Sequence, residues 1–110
     1  MIKNTLSEIE ARIQKSGSLR KEQQAELLGL LSTLKSEIAE LSKTHSDEAQ
    51  SITGFTGVST HEATRQEPNP QLLKLSLEGL SASAQGFETS HPRLVEIVNA
   101  ISLMLSNSGV

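Results

Sequence analysis

The sequence predicts an all-α protein: amphipathic helical hairpins forming an elongated helical bundle, completed by dimerisation. Three observations predict it. Apolar residues recur at alternating spacings of three and four in four separate segments, the spacing that keeps side chains on one helical face. Ser-Gly, Asn-Pro and His-Pro breaks cut the chain into helix-length pieces. Alternating apolar and polar runs bounded by turn dipeptides, the mark of strands, are missing.

The first segment runs from Ile2 to about Lys15, with Ile2, Leu6, Ile9 and Ile13 on one face. Thr5 and Glu8 have capping-box spacing. Ser16-Gly17-Ser18 then reads as the turn of a hairpin, with Gly17 suited to a left-handed C-cap and Ser18 to the next N-cap. The second segment, from about Leu19 to Ser42, carries Leu27, Leu31, Leu34, Ile38 and Leu41 in one stripe flanked by Leu28 and Leu30. Its polar face is Glu, Gln, Lys and Ser, and it is the clearest helix in the chain.

The third segment, Lys43 to Glu67, is the weakest. Ser46-Asp47-Glu48 resembles a helix start with acids in the first turn. Ala49, Ile52, Phe55 and Ser59 follow at helical spacing, but Gly54 and Gly57 each cost about 1 kcal/mol relative to Ala. The expectation is a short, marginal helix that frays into a loop by Thr60. The fourth segment opens at Asn69-Pro70, an N-cap followed by Pro at the first helical position. Its stripe is Leu73, Leu77, Leu80, Ala84 and Phe87. Beside it runs a line of small residues, Ser76, Gly79, Ser83 and Gly86, which reads as a tight helix crossing. The fifth segment starts near Ser90-His91-Pro92, where Pro92 suits a first turn and blocks continuation of the previous helix. Leu94, Val98, Ile101 and Leu105 form its main stripe, widened by Val95, Ile97 and Met104, with Leu103 on the opposite side. A helix apolar nearly all round is central in a bundle or shared between subunits.

The chain is therefore expected to be one helical domain over 1–110, divided into an N-terminal hairpin (1–42), a weak helix and linker (43–69) and a C-terminal helix pair (70–110). With only two aromatic residues among 110, Phe55 and Phe87, its core is thin. A second copy related by a two-fold axis would supply the missing layer.

Composition excludes several function classes. There is no Cys, Trp or Tyr, which removes disulfides, thiolate metal sites, a cysteine nucleophile and a tyrosine base. Net charge is -3 and no basic run exceeds Arg20-Lys21, so no nucleic-acid partner is expected. The N-terminal Met1-Ile2-Lys3-Asn4 lacks the apolar core of a signal peptide. No apolar stretch approaches the ~18–20 residues that span a bilayer. A cytoplasmic protein without membrane contact is the expectation.

Motifs that could carry chemistry are incomplete. His61-Glu62-Ala63-Thr64-Arg65 has an arginine where a zinc-protease helix needs its second imidazole. Ser18-Leu19-Arg20-Lys21 has the spacing of an acyl-enzyme serine and lysine, but that motif works only in a much larger α/β domain. His45, His61 and His91 are far apart in sequence and would bind metal only if the fold gathered them. No catalytic residue, cofactor or metal site is assigned.

Near the C-terminus, Gly79-Leu80, Ser83, Phe87-Glu88, Ser90-His91-Pro92, Leu94, Val98-Asn99, Ile101, Leu105-Ser106 and Gly109-Val110 form a pattern. It resembles the signature GL-x-x-S-x-x-x-FE-x-SHP-x-L-x-x-x-VN-x-I-x-x-x-LS-x-x-GI of a bacterial domain-of-unknown-function family of small helical proteins. Val110 stands where the family has Ile. The resemblance implies a small helical bacterial protein and brings no activity with it. It directs attention to Glu88, Ser90, His91, Pro92 and Asn99, whose structural role would be a cap at the helix break with Asn99 bonding across it.

The functional expectation is a non-enzymatic interaction or scaffold module that self-associates as a homodimer or binds an unknown protein partner. Its interface candidates are Leu73, Leu77, Leu80, Phe87, Leu94, Val98, Ile101 and Leu105, and its polar cluster is Glu88, Ser90, His91 and Asn99. The alternative is a small regulator whose C-terminal helix binds a partner protein in a groove.

Overall fold

A computed structural model describes residues 2–108, with side chains from residue 4 onward. Five helices follow in order: α1 (Ile2–Lys15), α2 (Lys21–Ser42), α3 (Ser46–Thr64), α4 (Pro70–Ala84) and α5 (Pro92–Ser108). No strand occurs among the described residues, and no helix is long and apolar enough to cross a membrane.

Leu6, Ile9 and Ile13 of α1 are buried, as their spacing demands. Ile2 and the Gly109-Val110 end of the C-terminal pattern lie outside the described side chains. Thr5 and Glu8 sit inside α1, which begins at Ile2, so they do not start the helix. The first turn also departs from expectation. Among the described residues only Gly86 has positive φ, so Gly17 is no left-handed cap. The carbonyls at the end of α1 are taken instead by Gln24 of α2, whose Nε2 donates to Ile13 O at 2.7 Å and Gln14 O at 2.9 Å. Ser18 is not the N-cap of α2 either. Arg20 holds that position in extended backbone, and its N–H donates to Gln23 Oε1 at 3.1 Å. Ser18 Oγ reaches Thr64 O at 3.4 Å, tying this turn to the end of α3.

The weakest segment forms a full helix. α3 runs unbroken to Thr64 and touches all four other helices. Its buried face is Ala49, Ile52, Thr53, Thr56, Ser59, Thr60 and Ala63, while Phe55, placed on the stripe by spacing alone, is 38% exposed. Thr53 and Thr56 cost little to bury because their hydroxyls bond within the helix. Thr53 Oγ1 donates to Ala49 O at 2.8 Å and Thr56 Oγ1 to Ile52 O at 2.7 Å. Burial on several sides outweighs the weak propensity of Gly and Thr. Gly57 lies against Ile9 of α1, whose Cδ1 would be in ordinary contact, at 3.6 Å, with a Cβ built there.

α4 starts as expected: Asn69 Oδ1 accepts from Leu72 N at 3.1 Å, with Pro70 in the first turn. It ends at Ala84, and the chain turns through Gly86 (φ 99°) so that Phe87 is buried in the turn rather than on the helix. The tight crossing is with α3, where the Phe55 ring lies over Gly79.

The layering differs from the expected one. α3, not α5, is the central helix: α1 packs on α2 and α3, α2 on α1, α3 and α5, and α4 only on α3 and α5. The chain measures 37 × 24 × 22 Å with a radius of gyration of 12.8 Å, close to the ~13 Å of a compact 100-residue domain. The expected elongation is not seen, because α3 folds into the middle of the bundle instead of acting as a linker.

Candidate functional site

The apolar seam that made α4 and α5 look like an interface is enclosed within one copy. Leu73, Leu80, Phe87, Leu94, Val98, Ile101 and Leu105 are buried in the chain's own core, and Leu77 is packed against it half-buried. The layer that a second copy was expected to supply comes from α3 of the same chain. Contacts with other molecules must therefore use side chains that this core leaves outside.

The polar cluster is gathered only in part. Glu88, Ser90 and His91 lie together in the turn between α4 and α5. The Glu88 carboxylate accepts from Gly86 N at 2.8 and 3.1 Å, which secures the one left-handed residue of the turn. Ser90 Oγ and His91 Nδ1 are 3.0 Å apart. His91 also supplies the carbonyl that accepts from Val95 N at 3.3 Å, so it caps α5 through its backbone. Asn99 stands exposed two turns further along α5 and makes no side-chain hydrogen bond across the turn. Its expected bridging role is not seen.

Spacing did not suggest what the turn meets. His45, at the start of α3, packs its ring edge-on to Phe87 at 5.3 Å between centroids, and His91 packs on Phe87 from another side at 5.7 Å. Both histidines bond through Nδ1 to the hydroxyl of the preceding residue, Thr44 in one case and Ser90 in the other. The two turns at this end of the bundle are thus clasped around one ring. His61 is elsewhere, with its Nδ1 accepting from Arg12 Nη1 at 3.1 Å. Glu62 is buried and held by Arg65 Nη1 at 3.0 Å. The histidines are therefore split between two places, and no three His, Asp or Glu side chains gather as metal ligands among the described residues.

Two clefts differ in character. One of about 620 Å³ between α1 and α3 is edged by Arg12, Lys15, His61 and Thr64 and is mostly polar. The other, about 680 Å³ between α4 and α5, is mostly apolar and lined by Leu73, Leu77, Ser81, Ser102 and Leu103. Neither is lined by Glu88, Ser90, His91 or Asn99.

The side chains left outside the core point to a different surface. Phe55 and Val58 on α3, Leu72 and Leu75 on α4 and Leu103 on α5 are the exposed large apolar residues among the described residues, Leu75 at 54% and Leu103 at 65% exposure. All lie on the three helices that flank or form the α4 side of the bundle. Leu72 and Leu75 carry a signal in the sequence too: they are the two leucines of α4 that fall off its core stripe.

No family model, no curated protein and no solved structure matches the chain.

Proposed function

We propose that the protein is a non-enzymatic protein–protein interaction module of the cytoplasm that self-associates as a homodimer through its outer helix faces. One observation carries the reading. The core closes within a single chain, yet Phe55, Val58, Leu72, Leu75 and Leu103 remain in water on the adjoining helices α3, α4 and α5. Exposed apolar side chains on adjoining helices mark interaction surfaces. The turn polar groups support the same reading, since Glu88 is engaged by Gly86 and His91 by Ser90 and Phe87.

Sedimentation equilibrium from micromolar concentration upward tests it. The expected result is a mass twice the 11.9 kDa of the chain. A cooperative, well-folded monomer over that range overturns it. The alternative, release of α5 to a partner groove, conflicts with four buried side chains on that helix: Leu94, Val98, Ile101 and Leu105. Hydrogen exchange separates the two: slow exchange over 92–106 fits a fixed scaffold, and fast exchange fits a helix that opens.

A further inference from the structure

We infer that two copies meet across α4 in an antiparallel, two-fold arrangement, with Lys74 of each copy against Glu78 of the other. The inference rests on the self-association proposed above and names its surface and register. α4 packs only on α3 and α5, so its outer side is open along its length. Lys74 and Glu78 are its only charged residues, and both are exposed. Neither forms an ion pair among the described residues. With Pro70 they follow one another at intervals of four, which makes a single ridge.

A groove runs on each side of this ridge. The larger, about 680 Å³, separates α4 from α5 because Ser81, Ser102 and Ser106 stand where longer side chains would fill the space. The smaller, about 440 Å³, lies beside Leu75. A four-residue ridge bordered by grooves is the shape that packs on a copy of itself, at a crossing angle of about −50°. A two-fold axis on the ridge, midway between Lys74 and Glu78, sets position 74 of one copy opposite position 78 of the other. The symmetry then forms both ion pairs at once. A parallel pairing in register would put like charges together, which selects against it. Leu75 and Leu103, on opposite sides of the ridge, would be covered in the same contact. The balanced charge of the ridge also fits a copy of itself better than an anionic surface, which would favour lysines alone.

The test is sedimentation velocity on the full chain as wild type, K74E, E78K, an equimolar mixture of the two variants, and the double variant K74E/E78K. Each single variant is expected to weaken the dimer at least about tenfold, because like charges then face each other. The mixture is expected to recover the dimer, since one ridge is then wholly acidic and the other wholly basic. The double variant is expected to recover it alone. Circular dichroism melts check that the single variants are folded. If the wild type dimerises and the single variants do so as tightly, or the mixture fails to recover, the surface is wrong while self-association stands. A wild type that stays monomeric to about 100 µM, a weak-affinity bound, overturns both.

Discussion

α2 and α3 are neighbours of similar length in one core, built from opposite materials. α2 buries Leu27, Leu31, Leu34, Ile38 and Leu41, all at 1% exposure or less. α3 buries two alanines, three threonines, Ser59, the Arg65-held Glu62 and a single large aliphatic, Ile52. The difference follows from position. α2 borders water along much of its surface and fills the space in front of it with long side chains. α3 keeps a face in water at Gly54, Phe55 and Val58 but packs on all four other helices, and the distance between helix axes depends on the side chains at the contact. Small residues let four neighbours approach it, and their large side chains close over its surface. A stripe of long aliphatics is thus the signature of a helix that meets few neighbours. A helix that meets four can bury a face of small residues instead.

If this division holds, the neighbours of α3 supply most of the apolar burial. Charging one of them has the largest effect. Leu80→Asp on α4 or Ile101→Asp on α5 places an unpaired carboxylate where each side chain is now fully buried. A cost of several kcal/mol consumes most of a small domain's stability, so cooperative melting by circular dichroism should be lost. A native-like melt for either variant would mean that these residues do not face a closed core. Leu34→Ala on α2 comes next, at about 3 kcal/mol, from lost burial and the cavity left behind. Urea denaturation measures it, and a cost below about 1 kcal/mol would show that α2 relaxes into the space.

These expectations also show what spacing could and could not reveal. α1, α2, α4 and α5 each carry long aliphatics on one face, and periodicity marks all four and nearly every core residue on them. Asn69-Pro70 marked the start of α4 because its cap is local chemistry. Three features depended on the rest of the fold. α3 looked like a fraying helix because Gly54 and Gly57 count against it until Ile9 packs on Gly57. Ser18 looked like a cap, but Gln24 and Arg20 organise that turn from the next helix. In the candidate site, Glu88, Ser90 and His91 are contiguous and came together, whereas the pairing of His45 with Phe87 needed α3 to be placed first. The seam on α4 and α5 was identified correctly as apolar. Spacing alone leaves it uncovered, because α3, which covers it, has the weakest helical signal in the chain.

The contact of α3 with α4 offers a smaller effect of mixed sign. Gly79→Ala favours the helix by about 1 kcal/mol. Its Cβ would also fall inside the Phe55 ring, which must swing outward and lose its cover. The ring displacement should win, leaving the variant about 1 kcal/mol less stable in urea. In a Phe55→Ala background the clash is gone, and the same substitution should stabilise by about 1 kcal/mol. Equal effects in both backgrounds would mean that the ring does not sit on Gly79.

The smallest effect examines α3 itself. Ser59 and Thr60 are fully buried, and their hydroxyls have no hydrogen-bond partner among the described protein groups, unlike those of Thr53 and Thr56. A buried unpaired hydroxyl costs about 1–3 kcal/mol, and Ala favours a helix slightly more than Ser. Against that stands the loss of one small atom's packing. Ser59→Ala should therefore stabilise by about 1 kcal/mol and raise the melting temperature by about 4–8 °C. Ser76→Ala on α4 is the control: its Oγ donates to Leu73 O at 2.9 Å, so the same change there should bring no gain. A fall in stability at Ser59 would place a buried water on its hydroxyl. It would also mean that the small residues of α3 were retained for hydrogen bonding as well as for close approach.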